Sequence, residues 1–276
     1  MHKLTTATES VHEIAVEIGG LPVLLRTGDA SFLNVLRIRY AGFLDSAASP
    51  RFEFDIDLID PSPAGEEDIQ VRMQNGLWSL RRGDFRAQWD SEKRKGWIRQ
   101  SANPYSVDCV LRIVHSLALA REGGFLLHAA SAVRNGKAFL FSGVSGAGKT
   151  TISRLAPTDV TLLTDEISYV RHQTGSYIAC GTPFAGELAR VGENCAAPLA
   201  ALYFLAKGPE NRIDPVPPAD AAGLLLRNIL FFAEDPDLVK QLFRSALEFV
   251  ERVPVQRLTF FPDARVWDFI GQVSQT

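Results

Sequence analysis

The chain has 276 residues, of which 46% are hydrophobic and 22% charged, and its formal net charge is -3. That balance belongs to a globular protein with one large or two modest cores, not to a disordered chain, and it supplies no electrostatic reason for nucleic acid as a partner. A membrane span is not expected either, because the longest apolar candidate, residues 224–233, is broken by Arg227 and Asn228.

Residues 1–10 lack the apolar core of a secretion signal. The three cysteines, Cys109, Cys180 and Cys195, are odd in number and have no metal-ligand spacing, so a reducing cytoplasm is the expected location. From residue 11 to about 100 the pattern is strand-rich. Residues 11–18 alternate in part, and 52–58 alternate strictly, with Phe52, Phe54, Ile56 and Leu58 on one side and Glu53, Asp55 and Asp57 on the other. This is a half-buried strand with a solvated carboxylate face, since no second ligand set for a metal lies nearby. A loop rich in Pro and acid follows at 61–68, and runs at 76–80, 85–89 and 96–99 continue the meander. Their tryptophans read as packing of a small sheet, with contact to a peptide or base as the alternative.

Residues 101–104 form the expected boundary between a β-rich N-terminal region (1–104) and a core (105–276). A helix over 106–121 follows, with Val107, Val110, Leu111, Val114, Leu117 and Ala118 as its apolar stripe and Gly123-Gly124 at its end. His115 lies off the stripe and is expected at the surface.

Two strand-like runs, 125–134 and 137–142, are joined by Asn135-Gly136, a strong hairpin signal. A two-residue turn sets Arg134 opposite Lys137 and Ala129 opposite Ser142, so that His128 comes opposite Gly143. A slip of one residue would turn His128 to the other face. An antiparallel neighbour made by the preceding residues predicts a mixed sheet, where a doubly wound fold would supply parallel neighbours.

The second run leads into Gly143, Val144, Ser145, Gly146, Ala147, Gly148, Lys149, Thr150 and Thr151, which fit the phosphate-loop pattern GxxxxGK[ST]. Glycines let backbone N–H groups turn toward phosphate oxygens, the lysine reaches the β/γ-phosphates and the following hydroxyl ligates Mg²⁺. A short helix to about Ala156 is ended by Pro157, and a strand over 160–164 leads to Asp165 and Glu166. An acid at that place holds Mg²⁺ or takes a proton from an attacking hydroxyl. Neighbours on a strand point to opposite faces, so Asp165 and Glu166 are expected to have different jobs.

Further on, a strand at 176–180 runs into a Gly/Pro loop, 181–187, which either covers substrate, with Glu187 or Arg190 turned inward, or is an ordinary turn. A buried strand is expected at 199–206, helices at 219–232 and 236–252 with Asp235 as N-cap, a last strand at 255–261 and a short helix at 264–271. Residues 211–214 have Arg where the guanine-reading NKxD has Lys, and no DxxG accompanies them, which argues against guanine specificity.

Leu127-His128, the Asn-Gly hairpin, the loop Gly143 to Thr150 and Thr164-Asp165-Glu166 together resemble the catalytic core of HPr kinase/phosphorylase and its HPr-kinase-like relatives, a fold shared with phosphoenolpyruvate carboxykinase. The resemblance covers residues 125–170. It implies an α/β, mixed-sheet P-loop kinase core preceded by a β-rich N-terminal region, with ATP and Mg²⁺ as cofactors. Carried over, the catalytic residues are Asp165, His128 and Lys149, and the metal ligands Thr150, Asp165 and Glu166. The implied reaction moves the γ-phosphate to a hydroxyl, a serine in a protein, peptide or small molecule. The alternatives are an ATP-binding regulatory module without transfer and a carboxykinase-like enzyme acting on a small carboxylic acid. A homo-oligomer is left open. The family's acidic pair is usually Asp-Asp, whereas the second acid here is Glu166.

Overall fold

The computed structural model describes residues 11–44, 49–61 and 68–270. The chain divides into two compact units, residues 1–110 and 111–276. Most of the expected loop at 61–68 lies outside the described residues.

In the first unit, β1 (His12–Ile18) and β2 (Leu21–Thr27) form a hairpin through Gly19 and Gly20, both at positive φ. Helix α1 (Ala30–Arg39) follows; Asp29 caps it, its carboxylate accepting the Phe32 amide at 2.7 Å. The sequence reading of strands alone misses this helix, because its buried residues, Phe32, Leu33 and Leu36, are too few to stand out as a helical stripe. Strands β3 (Phe52–Leu58), β4 (Gln70–Gln74), β5 (Leu77–Arg82), β6 (Phe85–Asp90) and β7 (Lys95–Gln100) complete a sheet of order β1-β2-β3-β7-β6-β5-β4. It is mixed, with parallel pairing at β2–β3 and β3–β7. Phe54, Ile56, Trp78, Leu80, Trp89 and Ile98 fill one face, as alternation requires. On the other face Glu53 meets Arg26 at 2.8 Å and Lys95 at 3.5 Å, so the β3 carboxylates form a solvated charged surface.

Helix α2 (Pro104–Arg121) contains the division between the two units. Near its start, Asp108 accepts a hydrogen bond from the Tyr40 hydroxyl at 2.6 Å and another from Arg39 Nε at 3.0 Å. Its later residues are apolar and buried on nearly all sides, as in a core helix. The surface expectation for His115 is therefore overturned: the side chain is fully buried and its Nδ1 lies 3.0 Å from the Tyr169 hydroxyl.

The second unit holds β8 (Phe125–Arg134), β9 (Lys137–Ser142), α3 (Lys149–Arg154), β10 (Thr161–Thr164), β11 (Ile167–Gln173), β12 (Ser176–Cys180), β13 (Ala196–Lys207), β14 (Arg212–Pro215), α4 (Pro218–Asn228), β15 (Ile229–Leu230), α5 (Pro236–Arg252), β16 (Val255–Phe260) and α6 (Val266–Phe269). Its sheet runs β10-β8-β11-β12-β13-β16-β14, with β15 on β8 and with β9 pairing both β8 and β13. Parallel pairing at β13–β9 and β13–β16 beside antiparallel β8–β9 makes this sheet mixed too, as the hairpin predicts. The hairpin register is the one counted from Asn135-Gly136, both residues at positive φ, running from Arg134 opposite Lys137 to Ala129 opposite Ser142.

Strand β8 changes partner along its length. Residues 125–128 pair with β11, and 126–127 also with β15; from Ala129 onward it pairs with β9, and 131–133 also with β10. His128 therefore stands where β8 exchanges its partners on both edges. Below β9, Phe141 stacks on Tyr203 and meets Trp267 edge-on, and Trp267 Nε1 donates to the Ile152 carbonyl at 3.1 Å, which ties α3 to the core. The helix expected to reach Phe232 ends at Asn228, because Ile229 and Leu230 pair with Leu127 and Leu126 as a two-residue strand.

Candidate active site

The loop after β9 depends on two of its glycines for separate reasons. Gly143 has φ 154, and a Cβ there would come within 2.9 Å of the Ala147 Cβ. Gly148 has φ 114, and a Cβ there would come within 2.7 Å of the Phe260 ring. Any side chain at either position would push the loop off the core. Lys149 opens α3, and its Nζ donates back across the loop to the Gly143 carbonyl at 3.0 Å. Burial lowers the proton affinity of this lysine, an effect the Glu166 and Glu187 carboxylates oppose.

A cavity of about 200 Å³ opens over this junction. The loop side contributes Ser145, Gly146, Gly148, Lys149, Thr150 and Thr151. His128, Asp165, Glu166, Glu187 and Lys207 close the rest. Three residues of the loop pattern do not line it: Gly143 accepts the lysine bond, Val144 is 78% exposed, and Ala147 is packed into the core. The His128 imidazole has its pKa held below the ordinary histidine value by burial and then by the Lys149 charge, which favours the neutral ring.

Asp165 and Glu166 both line this cavity, contrary to the expectation of opposite faces. They lie in a bend between β10 and β11, where strand alternation does not apply. Asp165 is only 5% exposed, and its two oxygens accept the Gly186 amide at 2.8 Å and the Leu188 amide at 2.9 Å. Glu166 is held through its carbonyl, which accepts the Ala129 amide at 3.0 Å. Burial pushes its carboxyl above the ordinary carboxylate range; Arg112, 3.9 Å away, opposes that shift and the Asp165 charge adds to it.

The Gly/Pro loop turns inward. Thr182 and Glu193 donate their amides to the Leu163 and Leu162 carbonyls of β10, and the Thr150 hydroxyl donates to Glu187 at 3.1 Å. Of the two candidates on this loop, Glu187 reaches the cavity, while Arg190 stays exposed outside it. Lys207 was not foreseen. It ends β13, and only the parallel pairing of β13 with β9 brings it to the loop, so no local pattern marks it. Among the described residues, no three His, Cys, Asp or Glu side chains are gathered as a metal cage. A cation at Thr150, Asp165 and Glu166 would need oxygens from elsewhere, as Mg²⁺ commonly takes from phosphates and water.

Fold and site together define a mixed α/β protein with two mixed sheets and a polar cavity at a loop–helix junction. Residues 101–275 match the family described as SynChlorMet cassette protein ScmC, and the chain belongs to that family. No curated protein matches the chain. Among solved structures, the HPr(Ser) kinase/phosphatase from Coxiella burnetii is similar at 11% identity over 54% of this chain and 93% of that one, with a TM-score of 0.29. That is a weak relation at the level of the fold.

Proposed function

We propose that this chain is an ATP-dependent, HPr-kinase-like phosphotransferase that passes a γ-phosphoryl group to a hydroxyl, a serine in a protein, peptide or small molecule. The observation that carries this reading is the placement of Lys149, at the head of α3, across one cavity from His128 and Glu166. A loop that tolerates no Cβ at Gly143 or Gly148 suits a bound phosphate chain. Bound ATP with Mg²⁺ would supply the transferable group and its counter-charge.

Lys149, now bonded to the Gly143 carbonyl, would be the residue to hold a phosphate oxygen, and the Thr150 hydroxyl, with Glu187 beside it, would help to hold the cation that supplies counter-charge. His128, favoured neutral, orients oxygens at the cavity edge by hydrogen bonding. The proton of the acceptor hydroxyl goes to Glu166, whose raised proton affinity suits a base. Asp165, the acid first expected in that role, already accepts two amides and serves to place the loop that carries Glu187.

The alternative is a regulatory module that binds nucleotide without transfer, which would use the same loop and hydroxyl. Radiolabelled γ-phosphate transfer, screened over free serine, peptides and host lysate proteins, separates the two. Label on an acceptor, lost in Lys149→Ala, supports the kinase. Saturable ATP binding with no labelled acceptor supports the module, and no ATP binding at all overturns both.

A further inference from the structure

The charges of the active-site cavity are divided between the two flanks of the loop after β9. That strand lies between β8 and β13. The β8 side supplies His128 and all three carboxylates of the cavity: Asp165 and Glu166 from the bend after β10, and Glu187 from the loop that Asp165 clasps. The β13 side supplies only Lys207. Its place is set by the same packing that shapes the loop. Ala201, Tyr203 and Leu205 share a core cluster with Ile152 of α3, and alternation makes Lys207 the next residue in that row. At the start of the loop, a Cβ on Gly143 would come within 3.5 Å of the Leu205 carbonyl oxygen. At its end, Gly148 lies against the ring of Phe260, which is the strand partner of Lys207. The Gly208 amide donates to the Phe260 carbonyl at 3.2 Å, and a Cβ at 208 would come within 2.4 Å of the Thr259 Cγ2, so the chain is held against β16 directly after Lys207. The backbone of this lysine is therefore registered to both ends of the loop. Its side chain is exposed and makes no ion pair with the described residues.

We infer that Lys207 is a phosphate-binding residue that takes the β-phosphate of the nucleotide. The inference rests on the phosphotransfer reading and gives it a direction. In phosphoryl transfer the attacking and leaving oxygens stand roughly in line across the transferred phosphorus. With the hydroxyl proton going to Glu166 on the β8 side, the leaving β-phosphate belongs on the opposite side, where Lys207 supplies the positive charge. The bond from the acceptor oxygen to the γ-phosphorus forms while the bond from that phosphorus to the β,γ-bridging oxygen breaks. The electron pair stays on the β-phosphate, and Lys207 would stabilise the charge gained there. The competing use of this lysine is to hold an anionic group of the acceptor. That is disfavoured because the acceptor would then stand on the side away from Glu166 and His128.

Titration calorimetry on the full chain tests it, with ADP, ATP and tripolyphosphate as probes in buffer containing Mg²⁺. The parent is compared with Lys207→Ala, Lys207→Gln and Lys207→Arg. Both neutral variants should lose about tenfold or more in affinity for all three probes, as expected for losing a charge-assisted bond. Their melting temperatures should match the parent's, because the side chain is exposed and unpaired among the described residues. Lys207→Arg should recover most of the affinity. In transfer assays the neutral variants should turn over more slowly with an unchanged KM for the acceptor. Parental affinity for ADP and tripolyphosphate in the neutral variants would overturn the inference and leave the phosphotransfer reading standing. A loss confined to ADP and ATP, with tripolyphosphate bound as before, would assign Lys207 to the nucleoside. A raised acceptor KM with unaltered ADP affinity would assign it to the acceptor, and either result overturns the inference. A parent that binds none of the probes would overturn the phosphotransfer reading and this inference with it.

Discussion

Asp165 and Gly186 hold one another in place. Asp165 Oδ1 accepts the Gly186 amide at 2.8 Å, while a Cβ at 186 would come within 2.9 Å of the other carboxylate oxygen and 2.8 Å of the Glu166 Cβ. The bend after β10 and the inward loop can thus approach this closely only with an acceptor at 165 and no side chain at 186. Glu187, next along, is delivered to Thr150 by that contact.

Asp165→Asn replaces one acceptor oxygen by an N–H₂ group that faces a backbone N–H, so one loop amide loses its partner. Leaving such a donor unsatisfied costs about 1–3 kcal/mol. Gly186→Ala displaces the same loop by crowding. The two variants should behave alike, with a lower denaturant midpoint and reduced phosphoryl transfer. An Asp165→Asn protein with parental stability and parental turnover would refute the positioning role.

Lys149→Ala should leave the fold intact, since the bond it gives up goes to a single loop carbonyl. Nucleotide affinity, followed by calorimetry, should fall by about tenfold or more through loss of a charge-assisted bond, and transfer should stop. Equal ATP affinity and turnover in the variant would remove Lys149 from the site.

Glu166 should govern the acid side of the pH profile. Burial raises its carboxyl above the ordinary range, so the rate should climb as pH passes through that raised value, and Glu166→Gln should abolish both the limb and most of the turnover. The folded protein binds this proton more tightly than the unfolded chain. The resulting stabilisation is complete below the unfolded value and is lost as pH rises through the folded one. At neutral pH Glu166→Gln should therefore melt no lower than the parent. A pH–rate limb that survives in the Gln variant would assign the base elsewhere.

His115 should make the protein acid-sensitive. Burial depresses its pKa from 6.5 to about 3, so between those values the unfolded chain takes up a proton that the folded chain refuses. The stabilisation is present above the unfolded value and is lost as pH falls through the window, by a few kcal/mol at most. Thermal melts from neutral to mildly acidic pH should show a steady decline, which His115→Gln flattens, although its altered packing lowers stability at neutral pH. Parallel declines in parent and variant would place the acid-sensitive group elsewhere.

Much of the second unit could be read from local rules. Asn135-Gly136 dictates a two-residue turn, and the turn dictates the β8–β9 register down to Ala129 and Ser142. Asp235 and Pro236 marked the start of α5, and strict alternation at 52–58 marked β3. Each of these depends only on backbone geometry and side-chain direction within a few residues, which the sequence contains by itself. What the tertiary structure decided has the opposite character. His115 is buried because both sides of α2 are covered, Ile229 and Leu230 stop being helix because the edge of β8 accepts them, and Lys207 reaches the cavity through a parallel pairing of strands far apart in the chain. Asp165 and Glu166 face one cavity because the chain bends between β10 and β11, and Asp165 became a clasp because a loop some twenty residues later presents its amides there. Such features depend on which surfaces meet, and no local period of two or 3.6 residues carries that information.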